Sequence, residues 1–382
     1  LALTIANSNL VYAVDTAPQI NEENSSSDEE QENESGTNED GAEDTTSKPN
    51  EEANKSEESQ DQSLDEQQTG NASTENKNVE TENIEGIDEK ATAPLIEETE
   101  TSGKCGENAY WEYDDGTKTL TISGSGAMED FPGVPPWDEY RNRIKNIVMS
   151  DQITTIGEGV FANCDSLEKV VIAEGVEKIG KRAFSGCDNL KEVVFGEGVK
   201  KIEYRAFYEC DALENIMISD GAEEIGEEAF RECNNLKEAV LGKGLKRIDK
   251  KAFQKCDALE NIIIPNGVEE VGEHAFGDCD SLKVVVLGKG LKRIERCMFW
   301  NCEKLEKVEN SGSVEEIGAS SFAGCKNLKE VIFGKGLKRI GGHAFEDCEK
   351  LESIEIPDGV QEIEAVTFSN CKNLREVVLG EG

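Results

Sequence analysis

Histidine is nearly missing from this chain: His274 and His343 are the only two among 382 residues. They sit at one position of an internal repeat, three coils apart, so at a strand spacing of ~4.8 Å they stand about 14 Å from each other and cannot share a metal. No CxxC pair occurs, and without one a zinc site is not expected. Serine has no base partner within the pattern. Carboxylates are abundant but are expected to lie along a rod, with no pocket to shift their pKa values for acid–base work. No catalytic residue, metal ligand or cofactor is assigned, and the chain is not expected to be an enzyme.

Positive charge is the second shortage. Lys and Arg number 40 against 81 Asp and Glu, which leaves a formal net charge of −41. Nucleic acid needs Lys and Arg against its phosphates, so that partner is disfavoured, and so is an anionic membrane surface. Long apolar runs are absent too. After the first residues no stretch of about 20 apolar positions occurs, so no membrane-spanning helix is expected.

What is present is a beat of 23 residues. Phenylalanine recurs from Phe161 through Phe184, Phe207, Phe230, Phe253, Phe276, Phe299, Phe322 and Phe345 to Phe368, with no insertion or deletion. Cysteine keeps the same step from Cys164 to Cys371 and leucine from Leu167 to Leu374. A fixed period in this range is the mark of a solenoid. Ten of the 12 cysteines hold one repeat position, which reads as a buried ladder of small side chains and not as disulfides; Cys105 and Cys297 lie outside it.

In the coil CDALENIIIPNGVEEVGEHAFGD, residues 256–278, Leu259, Ile262 and Ile264 suit a short strand whose inward residues alternate. Gly267 turns the chain, Val268 and Val271 start the return, and Ala275 and Phe276 fall in a short helical or 3₁₀ turn closing at Cys279. One coil cannot offset its own ordering entropy, so only stacking makes it fold. A second period of 46 lies on top. Glu223-Glu224, Glu269-Glu270 and Glu315-Glu316 alternate with Lys246-Arg247, Lys292-Arg293 and Lys338-Arg339, which predicts that acidic and basic pairs face each other along one side. The fragment Gly242-Lys243-Gly244 and its copies at 288–290 and 334–336 lack the Ser or Thr of a phosphate loop and recur as turns.

Four segments follow. Residues 1–13, apolar and ending in Val11-Tyr12-Ala13, read as the tail of a secretory signal peptide. Residues 14–103 read as a disordered acidic linker, extended by self-repulsion and acting as a spacer. Residues 104–143 read as an N-terminal cap: a hairpin over 109–122 and a short helix after Pro135-Pro136-Trp137. Residues 144–382 are the solenoid, with Ile144, Ile147, Met149 and Ile153 in a first, incomplete coil.

The assembled pattern, L-x-x-V-x-[ILF]-x-x-G-[VL]-x-x-I-G-x-x-A-F-x-x-C, resembles the 23-residue leucine-rich repeat of BspA-like, or Treponema-type, bacterial surface proteins. CGENAYWEYDDGTKTLTISGSGAM and PPWDEYRNRIKNIVM look like the cap that precedes such repeats. The resemblance implies a leucine-rich repeat solenoid with short parallel strands on a concave face and helical or 3₁₀ turns on the other. It also implies a non-enzymatic, secreted or surface-displayed protein, of a kind in which some members bind host or bacterial proteins.

The outward residue between the inward strand pair runs Val171, Val194, Met217, Val240, Ile263, Val286, Glu309, Ile332, Glu355 and Val378. An apolar stripe with a polar flank suits a protein partner, and Val171, Val194, Met217, Val240, Ile263, Val286, Ile332 and Val378 are the candidate contacts. The stripe has no Trp or Tyr, which a sugar-binding face would want. The alternative is a structural spacer or self-assembling scaffold, the stripe reflecting only the preference of sheets for β-branched residues. One coil breaks the pattern: Cys297-Met298 replaces x-Ala, Asn310 the inward aliphatic, Ser313 the turn glycine. Trp300 of that coil, expected on the convex side, is a secondary candidate.

Overall fold

The computed structural model describes residues 100–310 and 312–381. The proposed signal-peptide tail and nearly all of the acidic linker lie outside the described residues.

The folded part opens with an antiparallel ribbon. Strand β1 (Ser102–Lys104) pairs with β2 (Asn108–Asp114), which pairs with β3 (Thr119–Ala127) across the Asp115-Gly116 turn. Strand β1 finds its partner on the free edge of β2. Strand β3 then starts two ladders. Thr119–Ile122 pairs in parallel with β4 (Asn146–Met149), and Gly126–Ala127 with β5 (Ile153–Ile156).

From β4 onward the strands on one side are parallel and short, eleven in all among the described residues, and ten more, all but β5 of two residues, run along the return side. Registers step by 23, as in Ile262 opposite Val285 and Ile248 opposite Val271. Each strand leans its inward residues on the next coil. Leu259, Ile262, Ile264, Val268, Val271 and Phe276 are all at most 1% exposed. The phenylalanines form one column, adjacent rings 5.1–5.7 Å apart and close to parallel from Phe184 onward. Trp137 stands at its head, fully buried, 5.6 Å from Phe161, its indole N–H donating to the Val160 carbonyl at 3.1 Å.

The expected helical or 3₁₀ turns do not form. Among the described residues one 3₁₀ helix exists, Asp138–Arg143, just after the prolines. The return arcs are chains of turns, for a reason visible in the backbone. Two residues per coil take left-handed φ, such as His274 (55°) and Asp278 (58°). Alternate N–H groups then point at the next coil: Phe276 N–H donates to Met298 O at 3.0 Å and Asp278 N–H to Trp300 O at 2.8 Å, while Ala275 and Gly277 close locally. A helix would spend all of these donors within one coil, leaving the arcs unstitched.

Candidate functional site

Strands of alternating pleat put every second side chain of the longer strands outside the core. Val171, Val194, Met217, Ile263, Ile332 and Val378 are exposed, Met217 most at 68%. Val240 and Val286 are half-buried, being shorter than the Met217 and Ile263 beside them. The registers place Val171 opposite Val194, Met217 opposite Val240, and Ile263 opposite Val286. Beyond Val286 the column is interrupted: Glu309 separates it from Ile332, and Glu355 precedes Val378. Ile332 and Val378 are thus set apart from the rest.

The sequence pattern also held a member that the reading passed over. Val148 on β4 is 54% exposed and lies 23 residues before Val171. The continuous apolar stripe therefore runs from Val148 to Val286, seven coils, about 29 Å at ~4.8 Å per step. Val284, half-buried beside Val286, broadens it where the flank elsewhere carries Asn215, Glu238 and Asn261.

Just before each of these strands runs a second alternation: Lys145, Glu168, Lys191, Glu214, Lys237, Glu260, Lys283, Glu306 and Lys329. Lys145–Glu168 (2.9 Å), Glu214–Lys237 (2.8 Å), Glu260–Lys283 (2.9 Å) and Glu306–Lys329 (2.7 Å) are in contact. The hydrogen bond from Lys237 holds the Glu214 carboxyl below its usual range, and Lys283 does the same for Glu260. Charges at this margin cancel in pairs, so the stripe is bordered by little net field despite a chain total of −41.

The remaining candidates separate cleanly. His343 Nδ1 lies 2.8 Å from Glu346, whereas His274 lies edge-on to Trp300. Among the described residues no group of His, Cys, Asp and Glu is placed to hold a metal. The turn glycines are packing residues: a Cβ on Gly242 would come within 2.0 Å of the Ser219 carbonyl oxygen. All 12 cysteines are free thiols, Cys105 and Cys297 buried like the ladder. Ser313 donates to the Leu291 carbonyl at 2.9 Å; the Asn310 side chain lies outside the described residues. Trp300 is 39% exposed on the return side. A carboxylate that sequence reasoning missed, Glu228, is buried within reach of Arg205 (2.5 Å), Arg231 (3.5 Å) and Lys251 (3.7 Å), its charge matched by cations from three coils. No described helix is long and apolar enough to cross a membrane.

A family model described as BspA type leucine rich repeat region, in six copies, matches residues 139–260 and 246–375. Solved structures similar to this chain include a leucine-rich repeat protein from Eubacterium ventriosum (22% identity, 70% of this chain and 94% of that one, TM-score 0.41). A leucine rich cell surface protein from Faecalibacterium prausnitzii is 22% identical, covers 73% and 95% of the two chains and has a TM-score of 0.41. The pneumococcal vaccine antigen PcpA is 20% identical, with 72% and 80% covered and a TM-score of 0.42. No curated protein matches the chain.

Proposed function

The chain belongs to the BspA-type leucine-rich repeat family, and from that membership we propose that it is an exported, non-enzymatic recognition or adhesion protein that binds a protein partner on its strand face. The observation that carries this reading is the exposed apolar stripe from Val148 to Val286, since apolar side chains held in register against water are an interaction surface in waiting. Its neutral margin fits a partner with an apolar ridge, recognised by shape and burial and little by charge. The apolar residues 1–13 and the acidic stretch that follows support export and display at a cell surface, with the acidic stretch as spacer.

The test replaces Val240, Ile263 and Val286 together with Glu. These side chains point out of the core, so the variant is expected to keep its circular dichroism and melting profile while losing at least tenfold in partner binding, measured by surface plasmon resonance against a partner captured by the native chain. A folded variant that binds as before would leave the stripe as sheet chemistry and the solenoid as a spacer.

A further inference from the structure

The return side carries an aromatic ring that the core does not claim. Trp111 and Trp137 are 3% and 0% exposed, whereas Trp300 keeps 39% of its surface open. Its ring stands edge-on to His274 of the preceding coil, centroids 6.2 Å apart and planes at 73°. At the repeat position of Trp300 the coil before has Gly277 and the coil after has Ala323. The backbone does not require that glycine. Its φ is not left-handed, and a Cβ there would meet nothing closer than His274 Nδ1 at 3.5 Å. One coil further back the same position holds Gln254 without difficulty. The indole is therefore flanked on both sides by positions cleared of bulk.

Hydrogen-bonding capacity lies beside it. His274 Nδ1 is shut off from solvent and has no partner, so the imidazole braces the indole but offers that nitrogen to no ligand at the surface. Burial, with Lys251 and Arg296 next in effect, lowers the pKa of His274, which keeps the ring neutral at pH 7. Three planar polar groups run across successive coils: Gln254 Nε2 donates to Asp278 Oδ2 at 3.3 Å, and Asn301 Nδ2 to Asp278 Oδ1 at 3.1 Å. Each amide retains a second N–H and a carbonyl oxygen for a further bond. Around the imidazole Lys251 and Arg296 are opposed by Glu273 and Asp278.

An open indole face accepts the C–H surface of a pyranose ring, and planar amide and carboxylate groups beside it suit neighbouring hydroxyls. We propose that Trp300, braced by His274 and with Asp278 of the preceding coil and Asn301 of its own, forms a saccharide-binding site on the return side, taking an uncharged pyranose unit of a glycan. The site is separate from the stripe. A quaternary ammonium ligand would call for a cage of several rings, and a nucleotide would bring phosphate to a chain of net charge −41.

The experiment titrates the full chain with cellotetraose, mannotetraose and chitotetraose, following tryptophan fluorescence and heat. At least one of the three is expected to shift the emission and to bind with a Kd of about 1 mM or tighter. Trp300→Ala is expected to weaken that binding at least tenfold, as is Gly277→Gln, which fills the cleared position as Gln254 does. Both variants place at the repeat position a residue that another coil already carries, so their melting temperatures stay near that of the native chain. Trp300→Phe keeps part of the affinity. Silence with all three sugars overturns the proposal, and so does native affinity in Trp300→Ala. Loss of a protein partner in Trp300→Ala, with no sugar response in the native chain, assigns the patch to that protein instead.

Discussion

A cysteine in this fold is more than a small apolar filler. From Cys187 to Cys371 each thiol of the ladder donates to the carbonyl oxygen of the phenylalanine 26 residues before it, at 3.0–3.3 Å. The side chain thus fills volume and satisfies a buried acceptor together, which neither Ala nor Val does. Burial pushes the thiols up, Cys164 and Cys233 to about 12, so they stay protonated and keep their donor. Cys256→Ala is expected to destabilise the solenoid by about 1–2 kcal/mol, from a small cavity and the loss of one of the two hydrogen bonds to the Phe230 carbonyl, which keeps the Cys233 N–H; urea denaturation measures it. The size of the residue was legible in the repeat. Its donor role was not, because the acceptor belongs to the coil before and only stacking brings the two together.

At the level of the coil, the alternating charges do what their order implied. Arg247 reaches Glu270 (3.6 Å), Arg293 reaches Glu316 (3.3 Å), and Glu315 lies between Lys292 (3.7 Å) and Lys338 (2.5 Å). Each exposed pair contributes only about 0–1 kcal/mol, so the larger effect is the like-charge column that alternation avoids. Replacing Lys292 and Arg293 with Glu builds such a column from Glu269-Glu270 to Glu315-Glu316. The melting temperature is expected to fall by roughly 2–4 °C, by less in high salt; an unchanged value would make the alternation incidental. The return arc beside these pairs escaped the pattern. Its apolar Ala-Phe spacing fits a short helix, yet left-handed φ at Arg205, Glu228, Lys251 and His274 breaks one in every coil.

The whole molecule carries its excess of negative charge unevenly, and pH exposes this. At the position after the ladder cysteine, Asp165, Asp188 and Asp211 form one acidic run and Asp257, Asp280 and Glu303 another. Burial first, then the neighbouring carboxylates, raises the pKa of Asp188, Asp257 and Asp280. A carboxyl raised in the folded state disfavours folding while ionised, and this penalty is relieved as pH falls through its folded pKa. Glu168, Glu214, Glu260 and Glu306 are lowered by lysine partners, and their stabilisation is lost only further down, as pH falls through their own depressed values. The melting temperature is therefore expected to rise as pH falls from 7 through the raised folded values of these aspartates, and to drop further down as the lysine-paired glutamates protonate. Asp257→Asn with Asp280→Asn should flatten the rise, raising the value at pH 7 most. Calorimetry across pH decides it, and an undiminished rise in the double variant removes these two groups from the account.

The sequence by itself determined the period, the inward columns of Leu, Ile, Val and Phe, the cysteine ladder and the sides on which charges alternate. It could do so because a solenoid repeats one local solution 23 residues at a time, and every inward choice is made again in the next coil. The tertiary structure decided what depends on the neighbouring coil. It turned the return arcs into stitched turns, since their N–H groups find acceptors only one coil away. It let β3 start both ladders and brought the stripe residues of neighbouring coils opposite one another. It also left His274 Nδ1 without a partner beside an open indole, a juxtaposition of residues 26 apart that no local pattern contains.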